Sequence, residues 1–523
     1  MRHLIKNGTI VDGTGRQPYQ ADILVEDDRI AAVGGAHNEK NVQEIDAEGL
    51  FVVPGFIDVN NHSDTYWTLF EYPVQESLIT QGVTTIIGGA CGSSLAPLIG
   101  EEAIKSIRKY SDISKVQADW ASFGEFVDFM KQRSFNPNFG SLVGHATLRR
   151  GILGDEVRHL REDELRMMSG SLDSAMKEGA LGLSTGLVYS HARGASQSEI
   201  TRLASVVQEH GGVYATHIRQ EGLDLVASVK EAIAVAETTQ VRLQISHLKA
   251  CGRKSWPLQD RVLDMIHTAK AHGIDVTFDV YPYTVAGPVL YTLLPQWATE
   301  GGKEALVMRL KDPGLRRKIL AEMKQSGFDY GNVVIAVSKI GRSLERRKVS
   351  DIASNQGRTP EEIIVDLLIV SDDMITTMIE LMSKKNVEKA IADKNSIIAS
   401  NGAGYAISYR EKGDLVHPRC FGTFPRFLRM YALESKTLTI SEAIEKITRI
   451  PAEKYGLIKE MGTLEKDKRA DLVIFDGASI KDKATVFSPF TYAEGIRDVF
   501  INGVQVVAGG LITGKKAGRM LAK

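Results

Sequence analysis

No apolar run in this sequence approaches the roughly 20 residues that a membrane-spanning helix needs. The opening residues, Met1-Arg-His-Leu-Ile-Lys-Asn-Gly-Thr9, lack the apolar core of a secretory leader, so no signal peptide is expected. Cysteine is scarce. Cys91, Cys251 and Cys420 are the three in 523 residues, an odd and sparse set that argues against a disulfide framework and fits a reducing cytoplasm. Net charge is nearly absent: 64 basic against 65 acidic side chains leave −1. That balance gives neither nucleic acid nor an anionic membrane surface a reason to bind. Repeats, low-complexity segments and flexible linkers are also missing. What is there is an ordinary globular composition, 43% hydrophobic and 25% charged. The length suits one large barrel plus an accessory domain.

Both ends of the chain read as short strands and turns. Leu4-Ile-Lys-Asn-Gly-Thr-Ile-Val-Asp-Gly13 reads strand, turn, strand, and Ala470-Asp-Leu-Val-Ile-Phe-Asp476 is a strand near the other end. Neither stretch can bury a sufficient core alone. Residues 1 to about 55 and about 460 to 523 are therefore expected to form one small β-sandwich domain. Between them, eight β-branched runs alternate with helical patterns such as Glu199 to His210 and Asp260 to His272. The runs are Phe51 to Ile57, Thr84 to Gly88, Gly140 to Gly144, Ala180 to Ser184, Val213 to His217, Arg242 to His247, Asp275 to Val280 and Ser396 to Ser400. Eight βα units predict an α/β fold, a (β/α)8 barrel over residues 56–459. The stretch from about 285 to 349 is long for one loop and reads as an insertion over the active-site face.

Three of the runs carry a metal-binding side chain at the C-terminal end, where a parallel barrel places its chemistry. These are Cys91, His217 and His247. Taken singly, Cys91 reads as a small buried hydrophobe and each histidine as a satisfied core residue. Together they make a Cys–His–His set with room for a water, the form of a catalytic zinc site. Lys249 and Arg419 lie near these strand ends. A buried cation needs a partner, and a substrate carboxylate or an internal carboxylate such as Asp279 would serve. His145, after the third run, reads either as a pocket residue or as a brace. Cys251 and Cys420 read as bystanders, and the adjacent Arg149 and Arg150 as surface or pocket-edge charges.

Seven motifs in order give the chain a resemblance to the N-acyl-D-amino-acid deacylases, or D-aminoacylases, of the amidohydrolase superfamily. They are Pro54-Gly-Phe-Ile-Asp58; Gln81-Gly-Val-Thr-Thr with Cys91-Gly-Ser-Ser-Leu-Ala-Pro97; Gly179-Ala-Leu-Gly-Leu-Ser-Thr-Gly-Leu-Val-Tyr189; Tyr214-Ala-Thr-His217-Ile-Arg; Ile245-Ser-His247-Leu-Lys249; Asp279-Val-Tyr-Pro-Tyr283; and His417-Pro-Arg-Cys-Phe-Gly-Thr-Phe-Pro-Arg426. The resemblance runs nearly end to end. It implies a barrel with a β-sandwich built from both termini and a zinc held tightly by Cys91, His217 and His247. It further implies a small-molecule substrate, an N-acyl-D-amino acid, with Arg419, Lys249 and Tyr283 around its carboxylate. In such enzymes the zinc polarises the amide carbonyl and activates a water, and an aspartate after the last strand is the acid and base. A weaker metal position uses an His-x-His after the first strand.

Two positions depart from that pattern. The first-strand motif reads Asp58-Val-Asn60-Asn61-His62-Ser63-Asp64, with Asn60 where the first histidine belongs. Asn401 stands where the catalytic aspartate belongs. An amide is a weak metal ligand, so the second metal position is expected to be weak or empty, with His62 its remaining ligand. An amide also cannot exchange a proton with water, and a positioned general base contributes about 10²–10⁴-fold. His62 and Asp64 are the candidates to take over that role. Three readings follow: a mononuclear zinc amidohydrolase, a relative acting on an activated substrate, and a catalytically impaired barrel that binds or assembles. The sequence leaves the oligomeric state open.

Overall fold

Alternation of strand and helix decides the architecture. The helix Gln197–Glu209 shows how one unit is built. Ser196 caps it by accepting from the Glu199 amide, and Ile200, Leu203, Ala204 and Val207 turn one buried face to the sheet. The helix Leu258–Ala271 repeats the pattern with Val262, Leu263, Ile266 and Ala269. The computed structural model describes residues 2–35, 41–338, 340–371 and 375–522.

Eight parallel strand positions form the barrel. Phe56–Asp58 pairs with Val83–Gly88, and that strand with Asn138–Ser141. The third position continues, past a break at Leu142, as Val143–Gly144, which pairs with Gly182–Gly186. Val213–His217, Arg242–Ile245, Val276–Val280 and Ser396–Ile398 follow in parallel register. An Asn61–Gly402 bridge joins last to first. There the buried Asp58 accepts from the Ser400 amide at 2.8 Å and from Asn61 Nδ2 at 2.9 Å. The barrel interior is filled by Ile57, Ile87, Leu181, Val213, Ile397 and Tyr455, among others.

The two chain ends meet in one nine-stranded sheet. Phe51–Pro54 pairs antiparallel with Leu472–Phe475, and Arg2–Ile10 runs beside it. A shared core of Ile5, Ile23, Val25, Leu472, Ile474 and Phe500 needs residues from both ends, which is why neither end would fold alone. The expected run Phe51 to Ile57 is divided at Gly55: its first half belongs to this sheet and its second half to the barrel.

The excursion after Val276–Val280 is longer than the sequence suggested. It carries its own antiparallel sheet of Val285–Ala286, Val334–Ser338 and Ile375–Glu380. Helices Gly302–Lys311, Pro313–Gln325, Val349–Gln356 and Pro360–Val370 pack with it. The chain therefore returns to the barrel after Glu380, about 30 residues beyond the expected end at 349. The strand Ile375–Glu380 pairs with its neighbours in the insertion, which accounts for the extra length.

Candidate metal centre and substrate pocket

The three strand ends converge. Ligand atoms of Cys91, His217 and His247 all lie within 4.8 Å of one another, with Cys91 Sγ 3.5 Å from His247 Nε2. The two imidazole rings stand 4.2 Å apart at 86°. A tetrahedral zinc with bonds of about 2.0–2.3 Å requires ligand atoms roughly 3.3–3.6 Å apart. Neither ring nitrogen of buried His217 has a hydrogen-bond partner. A buried imidazole without a partner is costly, and a metal ion would satisfy it. One thiol and two imidazoles suit a borderline-soft ion such as zinc.

Backbone geometry aims these side chains. Cys91, His247 and Asn401 all adopt positive φ, at 52°, 38° and 46°. Such strain in non-glycine residues persists where the surroundings hold it in place. Gly89 and Gly92 bracket Cys91 with φ of 67° and 83°. A Cβ on Gly89 would meet the Leu142 carbonyl at 2.0 Å, and one on Gly92 would meet the Gly186 nitrogen at 2.6 Å. Asp279 fixes His247: its Oδ1 accepts from the His247 amide at 2.8 Å, and its Oδ2 from Gln244 at 3.0 Å.

Around the trio sits a cavity of about 430 Å³. Glu221, four residues after His217, is its hub. Its Oε1 lies 3.0 Å from His247 Nδ1, 3.6 Å from His217 Nε2 and in contact with Lys249 Nζ. Lys249 Nζ is also 2.9 Å from His247 Nδ1. The carboxylate of Glu221 raises the Lys249 pKa despite burial. Lys249 is therefore already neutralised, and by Glu221, not Asp279. Arg419 differs. It is 8% exposed, lines the cavity, has no carboxylate partner among the described residues and lies 4.8 Å over the Tyr281 ring.

The remaining expected site residues divide. His62 and Asn401 face the cavity, with His62 Nε2 2.9 Å from Asn401 Oδ1 and 3.9 Å from Cys91 Sγ. Burial pushes His62 down to about 4, so it is neutral near pH 7. Asn60 lies off the cavity and donates to Asp279 Oδ1 at 3.1 Å. Asp64 is held behind the wall, where its Oδ2 accepts from the Gly89 amide at 2.7 Å. Burial pushes its pKa up to about 6. His145 opens the helix His145–Leu153 and meets Glu199 at 2.8 Å, away from the cavity. Arg149, read as a surface or edge charge, is fully buried on the same Glu199 at 2.6 Å. Tyr283 also lies outside the cavity, against His417 and Arg426. The turn after Val280 brings Tyr281 to the cavity instead.

Sequence reasoning missed Glu221, Tyr281 and the aromatic wall of Tyr66, Tyr110 and Tyr189. It also set aside Cys251, which lines the cavity and lies 3.8 Å from Glu221. Tyr281 stood two residues from each of Asp279 and Tyr283 in a motif already in view. Glu221 stood one helical turn past a ligand, but in a loop, where no periodicity marks it.

A model of the amidohydrolase family matches residues 43–382, and a second amidohydrolase model residues 361–506. The chain belongs to the amidohydrolase family. This amidohydrolase is 31% identical to a D-aminoacylase of Alcaligenes xylosoxydans xylosoxydans, over 99% of its own length and 97% of the relative's. A solved D-aminoacylase structure concerned with a binuclear metal centre superposes with a TM-score of 0.83 at 30% identity, covering 100% of this chain and 99% of that one. The N-acyl-D-glutamate deacylase of Bordetella bronchiseptica, with zinc and a phosphonate mimic of the tetrahedral intermediate, gives 0.83 at 26%, with the same coverage. The barrel with its β domain and the metal-binding Cys–His–His group thus belong to a metal-dependent hydrolase of C–N amide bonds.

Proposed function

We propose that this amidohydrolase cleaves N-acyl-D-amino acids at a single zinc held by Cys91, His217 and His247. The observation that carries the reading is the buried trio beside Arg419, a guanidinium with no carboxylate partner among the described residues. When bound, the metal supplies a Lewis acid at the reacting carbonyl and lowers the pKa of water towards 7.

The protein's own groups do the rest. Glu221 Oε1 and Lys249 Nζ, 3.0 and 2.9 Å from His247 Nδ1, hold that edge of the ring and leave Nε2 to face the trio. Arg419 grips the substrate carboxylate, with Tyr281 stacked against it. The insertion lines the far arm of the cavity with Val289, Leu293, Leu294, Trp297, Met323 and Phe328. That arm takes the apolar part of the substrate. The second metal position is replaced by hydrogen bonds: Asn60 is committed to Asp279, and His62 Nε2 donates to Asn401. One metal is a workable number, since D-aminoacylase itself shows one-metal activation and second-metal attenuation.

Proton transfer is the weak step. Asn401 can orient and donate but cannot take a proton, and Asp64 lies off the cavity with Oδ2 on the Gly89 amide. His62 is the cavity group left to move one. Asn401→Asp places a carboxylate oxygen where the amide oxygen now meets His62. It is expected to raise kcat on N-acetyl-D-amino acids by about 10²–10⁴-fold. No gain with zinc bound and substrate saturating would instead favour a barrel that binds without turnover, the second reading that Asn401 itself supports. His62→Ala in the native background is expected to lower residual turnover at least tenfold, and unchanged turnover would remove His62 from the mechanism.

A further inference from the structure

A second cavity, of about 560 Å³, adjoins the metal pocket. Five residues line both: Tyr66, Tyr110, Gly287, Asn401 and Arg419. The border is thus built from the guanidinium that faces the substrate carboxylate and from the asparagine that meets His62. Arg419 Nε is buried there without a hydrogen-bond partner. Gly287 leaves the border open, since even a Cβ at that position would stand 3.7 Å from Arg419 Nη2.

The two compartments differ in kind. The arm beyond the trio is apolar, built on Leu293, Leu294, Trp297 and Phe328. The second cavity mixes the aromatic faces of Trp67, Tyr405 and Tyr409 with the polar side chains of Ser338, Glu345 and Thr376. Acidic and basic side chains line it in equal number, and one pair, Lys412 with Glu71, closes at 2.7 Å. Such a lining suits a group without net charge that is rich in hydrogen-bond donors and acceptors. The volume is that of a pocket for a drug-sized ligand, far more than the single methyl of an acetyl group needs.

A scissile amide has two halves, and the site offers each a compartment. Arg419 lies against Tyr281, which lines the metal pocket and not the second cavity. A carboxylate held there keeps the amino-acid half on the metal-pocket side, with the apolar arm for its side chain. The acyl half then leaves the trio past Asn401, Tyr66 and Tyr110 into the second cavity. We propose that this acyl half is aminoacyl or peptidyl, so that the site releases a C-terminal D-residue with an apolar side chain from a short peptide. The inference rests on the function proposed above and names its substrate class. The step is a hydrolysis: the hydroxyl of water joins the carbonyl carbon of the last peptide bond, the C–N bond breaks, and the proton goes to the nitrogen. A free D-amino acid and a shortened peptide leave.

Three compounds with the same D-leucine end test this: N-acetyl-D-leucine, N-octanoyl-D-leucine and N-acetyl-L-alanyl-L-alanyl-D-leucine. Their uncleavable ketomethylene analogues, with CH2 in place of the scissile NH, are titrated calorimetrically into the zinc-loaded protein. Release of D-leucine is measured from the amides themselves. The peptide analogue is expected to bind at least tenfold more tightly than either of the others. Thr376→Trp and Val337→Trp fill the second cavity from residues that do not line the metal pocket, and each should cut that advantage at least fivefold. Equal binding of all three analogues, tightest binding of the octanoyl analogue, or an advantage that survives both variants would overturn the assignment. Tightest binding of the peptide analogue with no D-leucine released from any amide would uphold the peptide subsite and refute the hydrolase reading instead.

Discussion

In the function proposed above, Arg419 is the residue on which substrate recognition turns. A guanidinium at 8% exposure with no carboxylate partner among the described residues carries a desolvation cost that a substrate carboxylate would offset. Charged hydrogen bonds contribute about 1.5–3 kcal/mol each, so Arg419→Gln is expected to raise KM roughly 10–100-fold. The effect on kcat should be much smaller, since the contact is made in ground state and transition state alike. Steady-state kinetics on one N-acetyl-D-amino acid checks this. A fall in kcat with KM unchanged would show that Arg419 acts on the reacting atoms instead. Lys249 is the lesser candidate beside Arg419 in the sequence, and the structure separates the two: Glu221 neutralises Lys249, whereas no carboxylate among the described residues pairs with Arg419. That distinction rests on a loop carboxylate that no periodicity could have placed.

At the scale of elements, strand ends and their connections do the positioning. Asp471, buried at the start of Leu472–Phe475, ties the β domain to the barrel. It accepts from the Asn502 amide at 2.6 Å and from Asn138 Nδ2 at 2.9 Å. Burial pushes its pKa from an ordinary 3.8 up to about 6. The folded chain therefore holds this proton more tightly than the unfolded chain does. The stabilisation it gives is fully present below about pH 4 and is lost as pH rises through about 6. Asp471→Asn should flatten stability over that window. It should also cost about 1–3 kcal/mol at pH 7, because the amide offers one acceptor to two donors. Chemical denaturation across pH 4 to 7 reads both effects, and an unchanged slope would mean that Asp471 does not titrate there.

The eight strands were legible because β-branched runs bounded by turn residues recur between amphipathic helices. The trio was legible because each ligand ends one of those runs. The division at Gly55 was not, since a strand that leaves one sheet and enters another has the same apolar pattern in both. Tyr283 and Tyr281 illustrate a second limit. They sit two apart in an extended-looking motif, which predicts one shared face, but the chain turns after Val280 and only Tyr281 reaches the cavity. The insertion ran past its expected end because its last strand, Ile375–Glu380, carries the same β-branched signature as a barrel strand.

The whole molecule brings these parts to one face. Barrel strands deliver Cys91, His217 and His247, the insertion closes an apolar arm over them, and the β domain made from both chain ends sits on the other side of the Phe51–Asp58 segment. Charge is nearly balanced overall, at −1, so local arrangement and not bulk field sets what binds. The proposed single-metal centre requires that the Asn60–Asp279 and His62–Asn401 hydrogen bonds stand in place of a second metal position. Elemental analysis of protein purified without added metal tests that most directly, with Cys91→Ala and Asn60→His alongside. About one zinc per chain is expected in the native protein, almost none in Cys91→Ala, and more than one in Asn60→His given excess zinc. About two per chain in the native protein, or a native content that Cys91→Ala leaves untouched, would contradict a mononuclear Cys91–His217–His247 centre.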